Sequence, residues 1–201
     1  MYFIIKETEN LSDLEETLNE ILLKISHDFP FKPSKISSIR NGRLQAFIKY
    51  DIVPEIKANK ELKVDILKDN FIPSNIEKNI LFTYPDFIEK ENKLNTYNLE
   101  SVASDKISRI LDVDKEARDI YDLWYLLKLD FLKISKLKNE LKKRFGSELY
   151  FPNLIAEIGS SVYRQTWEIR LGRQILDLPP HELVIRDLKE LIKNRLIEHP
   201  Q

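Results

Sequence analysis

Apolar residues come in short runs through the first half of the chain and at helical spacing through the second. Runs of β type occupy Tyr2–Ile5, Lys35–Arg40, Leu44–Tyr50, Leu62–Leu67 and Ile80–Tyr84, with Lys93–Tyr97 as one more short strand. Asn41-Gly42 separates the second run from the third. That pair predicts a tight hairpin, because both residues tolerate the positive φ such a turn requires. One amphipathic helix interrupts the strands, over Leu11–Ser26. Ser12 is its expected N-cap, and Leu14, Leu18, Ile21, Leu22 and Ile25 form its apolar stripe.

From Leu99 onward the period is that of a helix almost throughout. The expected helices are Leu99–Leu111, Ala117–Asp130, Ile134–Phe145, Asn153–Leu176 and His181–Arg195. Gly159 and Ser160-Ser161 lie inside the fourth and predict a break there, while Pro179-Pro180 opens the last one cleanly. The pattern predicts an α+β fold: a small, mostly antiparallel sheet followed by a C-terminal helical bundle. The expected boundary falls between residues 1–98 and 99–201.

Apolar residues make up 42% of the chain, enough for a real core and against wholesale disorder. The 32 basic and 33 acidic residues nearly cancel, so no global field draws the chain to nucleic acid, and DNA is not an expected partner. Without cysteine there are no disulfides and no thiolate metal sites, and His27, His181 and His199 are too scattered to suggest zinc. No apolar run approaches the ~20 residues of a membrane span. The opening MYFIIKETEN is interrupted by Lys6 and is not a signal peptide. The expectation is a soluble protein of the cytoplasm.

Candidate chemistry comes from charges that fall on apolar faces. On a helical wheel of Leu99–Leu111, Lys106 lies inside the arc of Leu99, Val102, Ala103, Ile107 and Ile110. On Ala117–Asp130, Asp119 lies between Leu123 and Leu126, and Asp122 lies at the edge of the same arc. Arg118 lies further round, toward the polar side. The linker Asp112–Glu116 is short, so the two helices are expected to be antiparallel neighbours, with Lys106 meeting Asp119 or Asp122. Two readings stay open. One is a structural ion pair, helped by the preference of a carboxylate for a helix N-terminus. The other is a functional site, because a buried pair is often a net cost to stability and perturbed charges gather at sites.

Arg109, one turn after Lys106, is a candidate phosphate holder or a solvated surface residue. Asp65, flanked by Val64 and Ile66 on a strand, is a candidate metal ligand or a solvent-facing neighbour of Lys63. The lysines from Lys133 to Lys143, with Arg144, form either a solvated helix face or an RNA-backbone contact. Tyr121, Trp124 and Tyr125 read as packing residues ahead of a base-stacking platform.

Leu99-Glu100-Ser101-Val102-Ala103-Ser104-Asp105-Lys106-Ile107, followed by Arg118-Asp119-Ile120-Tyr121-Asp122-Leu123, resembles the signature of the AbiEii/AbiGii nucleotidyltransferase family. The resemblance implies a toxin of type IV toxin–antitoxin or abortive-infection systems, with a fold like that of polymerase β-type nucleotidyltransferases. It implies Mg²⁺ and a nucleoside triphosphate as cofactor and donor, a tRNA acceptor, and a cognate antitoxin as partner. By carry-over, Lys106 contacts the triphosphate, Asp119 is the essential acid, as a base or as the partner of the lysine, and Arg118 and Asp122 orient it. Asp65 sits where related proteins carry an apolar-Asp-apolar strand.

One departure stands out. The family's early motif is Gly-Ser followed by a strand bearing Asp-x-Asp, and Met1-Tyr2-Phe3-Ile4-Ile5 aligns with the end of that strand, with Tyr2 in the place of an aspartate. The expectation is a partial nucleotidyltransferase fold, shortened, split or degenerate at its N-terminus. It carries two outcomes: nucleotide transfer, or a remnant that binds nucleotide, RNA or antitoxin without catalysis.

Overall fold

The computed structural model describes residues 2–6, 8–28, 33–50, 60–69, 71–79, 93–112 and 115–198. The chain divides into two compact units, Met1–Ile72 and Pro73–Gln201. The change from strand to helix pattern falls at residue 98. The compact units part earlier, so the second strand pair goes with the helices.

In the first unit, β1 (Tyr2–Lys6), β2 (Ser34–Arg40), β3 (Arg43–Lys49) and β4 (Glu61–Asp69) form one sheet in the order β1-β4-β3-β2. β1 runs parallel to β4, with Tyr2 opposite Asp65, and the other two pairings are antiparallel. The expected hairpin joins β2 to β3: Asn41 and Gly42 have φ of 49° and 71°, the positive values that let a two-residue turn follow the twist of its strands. Burial alternates along β3, with Leu44, Ala46 and Ile48 inside. Ala46, Ile48 and Val64 pack with Ile66 and with Leu18 and Leu22 of α1 (Leu11–Asp28). Two details of α1 differ from expectation. Asn10, not Ser12, caps it, accepting from the Ser12 amide at 3.1 Å. Ile21, placed in the apolar stripe by its spacing, is half exposed because only the Leu18–Leu22 edge meets the sheet.

In the second unit, β5 (Asn75–Asn79) pairs antiparallel with β6 (Lys93–Tyr97). The strand expected at Ile80–Tyr84 lies outside the described residues. Among the described residues six helices follow: α2 (Leu99–Leu111), α3 (Ala117–Lys128), α4 (Ile134–Phe145), α5 (Phe151–Glu157), α6 (Ser161–Leu171) and α7 (His181–Leu191). The last continues as a π-helical turn, Ile192–Ile197. The stretch over Asn153–Leu176 breaks where Gly159 and Ser160-Ser161 predict, into α5 and α6. The first of them begins earlier than expected, with Pro152 in its opening turn. Asn98 caps α2 through the Ser101 amide at 2.7 Å, and Gly146 ends α4 in the left-handed conformation at φ 68°.

One core joins these helices. Ile107 and Ile110 of α2, Ile120, Leu123 and Leu127 of α3, Leu137 and Leu141 of α4, and Tyr163, Trp167, Val184 and Leu188 further on are all inaccessible to solvent or nearly so. The π-helical turn carries Arg195 back onto the end of α3, where its guanidinium donates to the carbonyls of Leu127, Leu129 (3.0 Å) and Leu132 (3.2 Å). A helix end has orphan carbonyls, and a planar cation with several donors satisfies them together. α3, which bears most of the candidate site, is thereby held at its C-terminus.

Candidate functional site

α2 and α3 pack side by side, as their short linker predicts. Their apolar arcs face the core, and the charges inside those arcs meet. Lys106 Nζ lies 2.8 Å from Asp119 Oδ1 and 2.6 Å from Asp122 Oδ2. Arg109 Nε donates to Asp119 Oδ2 at 2.9 Å. Asp119 therefore has both oxygens engaged, and its side chain is only 1% exposed. Lys106 is 16% exposed and Asp122 35%, so the cluster grades from a sealed carboxylate to an open one. Asp119 also sits in the first turn of α3, where the helix dipole favours its charge. Burial, with the negative charge of Asp119 added to it, pushes the nearby Tyr163 hydroxyl up to about 12.

The cluster opens into a cleft of about 370 Å³ lined by Val102, Lys106, Tyr121, Asp122, Tyr125 and Leu126. Tyr121 is fixed there by tilted contacts to Trp124 (5.6 Å between centroids) and Trp167 (6.3 Å). Two cations face two carboxylates, so the cluster is balanced, and an anion finds a place on Lys106 only where it displaces the accessible Asp122 carboxylate. Lys106 can exchange one carboxylate contact for a phosphate oxygen while Asp119 keeps it aimed.

Arg118 is exposed and stands apart from these contacts, so the structure does not bring it to the cluster. Asp65 belongs to the first unit, on the sheet face opposite the small core. Arg43 Nη2 lies 2.8 Å from its Oδ1, Gln45 Nε2 donates to the same oxygen at 2.9 Å, and Lys63 Nζ stands 3.4 Å from Oδ2. Burial pushes this carboxyl up, but the hydrogen bonds from Gln45 and Arg43, the Arg43 charge and Lys63 outweigh it and hold the group below its usual range. These surroundings do not fit a magnesium ion, which would have to share the carboxylate with two cations. Among the described residues no cluster of three carboxylates or histidines is arranged to hold a metal.

A second buried carboxylate escaped the sequence reading. Glu140 of α4 is 4% exposed, accepts from the hydroxyls of Ser74 (2.7 Å) and Ser101 (3.0 Å), and is paired with Lys143 at 2.8 Å. Nearby, Arg144 reaches Asp105, the residue before Lys106, at 3.2 Å. Helical period gave no signal for Glu140, which lies about 60° outside the apolar arc of Ile134, Leu137, Leu141 and Phe145. α4 carries five basic residues, and Lys136 and Lys142 remain solvent-exposed.

The sequence model of the family described as nucleotidyl transferase AbiEii toxin, type IV toxin–antitoxin system, matches residues 3–194 of the 201. The chain belongs to this family. The AbiEii match spans the Lys106 and Asp119 segments and agrees with the resemblance carried by Leu99–Leu123. It implies a nucleotidyltransferase-like toxin of a type IV toxin–antitoxin system, with a nucleotide substrate and an antitoxin as partner. No curated protein matches this AbiEii member. Among its described residues no helix is long and apolar enough to cross a membrane.

Proposed function

We propose that the chain transfers a nucleotide from a nucleoside triphosphate to an RNA acceptor of tRNA type, acting in the cytoplasm as the toxin of an abortive-infection pair. The observation that carries this reading is Lys106, held between Asp119 and Asp122 at the mouth of an open cleft. Lys106 and Arg109 bind the triphosphate. Asp119 is a positioning residue, since a sealed carboxylate with both oxygens engaged has no access to substrate. Asp122, the accessible carboxylate, takes the proton of the acceptor hydroxyl as its oxygen bonds to the α-phosphorus and pyrophosphate leaves. The exposed lysines of α4 support an RNA acceptor, because a cationic helix face suits a phosphate backbone.

Incubation with α-labelled nucleoside triphosphates, Mg²⁺ and bulk tRNA tests the transfer. Labelled RNA from the wild type, lost in Lys106→Ala, is the expected result. No label with any of the four nucleotides, from this chain or an N-terminally extended version, removes the transferase reading. Binding without transfer is the second reading, favoured by the saturation of Asp65 with Arg43, Gln45 and Lys63. It predicts that nucleotide, RNA or antitoxin still binds in that case.

A further inference from the structure

The cleft beside Lys106 has two unlike ends. One is ionic, made by Lys106 and Asp122, and the other is apolar and aromatic, made by Val102, Tyr121, Tyr125 and Leu126. Tyr121 is locked by Trp124 and Trp167, and Trp167 is itself braced edge-on by His181 at 5.3 Å. Tyr125, one helical turn further along α3, lines the same cleft with 55% of its surface exposed. A large aromatic residue left open beside a charged cluster is not explained by the core, which Trp124 and Leu123 already fill from the same helix. The cleft falls within the size range of small-ligand pockets. A ligand that satisfies both ends joins a polyanion to a flat, weakly polar ring system.

We propose that Tyr125 is the base-stacking residue of the nucleotide site, with Tyr121 and Val102 as the walls against which the nucleobase is held. The inference rests on the reading of Lys106 as the phosphate-holding residue and adds the part of the ligand that Lys106 does not touch. Because every nucleobase has a π-face, the contact is tolerant of base identity and strongest for the larger purines. Tyr125 is exposed, so replacing it removes a contact without opening a cavity.

The test is calorimetric binding of two ligands, ATP and inorganic tripolyphosphate, to the full chain. Tyr125→Ala is expected to weaken ATP on the order of tenfold and to leave tripolyphosphate within about twofold of wild type, given the usual strength of base–aromatic stacking. Tyr125→Phe is expected to keep ATP binding, since stacking needs the ring and not the hydroxyl. ATP binding unchanged in Tyr125→Ala overturns the inference, as does an equal loss of both ligands. Lys106→Ala separates this failure from that of the underlying reading. If it loses both ligands while Tyr125→Ala loses neither, only the stacking role falls. If Lys106→Ala binds both like wild type, or the wild type binds no ATP, the phosphate site falls and the stacking role with it.

Discussion

Lys106 reaches from α2 to Asp119 on α3 at 2.8 Å, and that carboxylate is sealed from water while the lysine is not. The asymmetry gives the pair a direction. Asp119 is committed to its partners, whereas Lys106 has a second contact, Asp122, at the solvent edge that a ligand can displace. A pair that served structure alone would gain little from that accessible third charge.

The two aspartates are therefore expected to differ in stability effect. Asp119→Ala leaves Lys106 and Arg109 without their buried acceptor and should cost about 3 kcal/mol, the range seen when one member of a buried pair is removed. Asp122→Ala removes a partly exposed contact and should cost less than about 1 kcal/mol. Replacing Lys106 and Asp119 together by Met and Leu should recover most of the loss, since no charge is then buried alone. Urea midpoints at neutral pH measure all three. Equal losses for Asp119→Ala and Asp122→Ala would contradict this account of the cluster.

That pairing was legible because helical period alone places both charges inside apolar arcs, and a five-residue linker leaves the two helices little choice of neighbour. The β2–β3 turn was legible for a similarly local reason, Asn41-Gly42. Features that depend on distant or unpatterned residues were not. β5, reading Asn-Ile-Glu-Lys-Asn, is exposed along its whole length, so no alternation announces it. Glu140 sits among lysines, and its serine partner Ser74 is 66 positions away in sequence. Arg118 shows the opposite limit: adjacent to Asp119 in a motif, it faces solvent because neighbours on a helix point about 100° apart.

Glu140 gives the fold an acid limit. Burial pushes its carboxyl up, but Lys143, Ser74 and Ser101 together bring it down to about 2, from an ordinary 4.5. The folded value is the lower one, so on acidification the unfolded chain takes the proton first. The contribution is complete above about pH 4.5 and is lost as the pH falls toward 2. Glu140→Gln should cost about 2 kcal/mol at pH 7, the scale of hydrogen bonds to a charged group, and should flatten the stability profile in that window. Denaturation midpoints from pH 7 down to 3 would show it. A variant whose midpoint falls with acid as steeply as the wild type would place the acid sensitivity elsewhere.

Arg195 is expected to matter more for α3 than for its own helix. It donates to the carbonyls of Leu127, Leu129 and Leu132, at and just past the end of α3, where the Leu129 carbonyl also accepts from the Leu132 amide. Arg195→Ala should cost about 2 kcal/mol, as buried acceptors lose charged donors. Arg195→Lys should restore only part of that, because a single ammonium cannot span three carbonyls as a planar fork does. Amide exchange offers the sharper measurement: protection at the end of α3 should fall in both variants while that of α5 stays near wild type. Uniform loss across the second unit would mean that Arg195 stabilises the bundle as a whole instead of this one end.

The RNA arm of the proposed function makes an electrostatic prediction. Lys138 and Lys142 are one helical turn apart on α4, and both line a cleft with Tyr150 and Phe151. If this face follows an RNA backbone, Lys138→Glu/Lys142→Glu should weaken binding of tRNA and of an unrelated single-stranded RNA alike, since phosphate contacts carry no sequence information. The slope of log affinity against log salt should shrink by about 0.7 for each lost contact to a single strand. Lys106→Ala, by contrast, should leave RNA affinity in the absence of nucleotide near wild type while abolishing transfer. Fluorescence anisotropy at several salt concentrations separates the outcomes. RNA affinity and salt slope unchanged in the α4 double variant would show that this pair does not hold the RNA backbone, and the acceptor would then have to be held by some other surface.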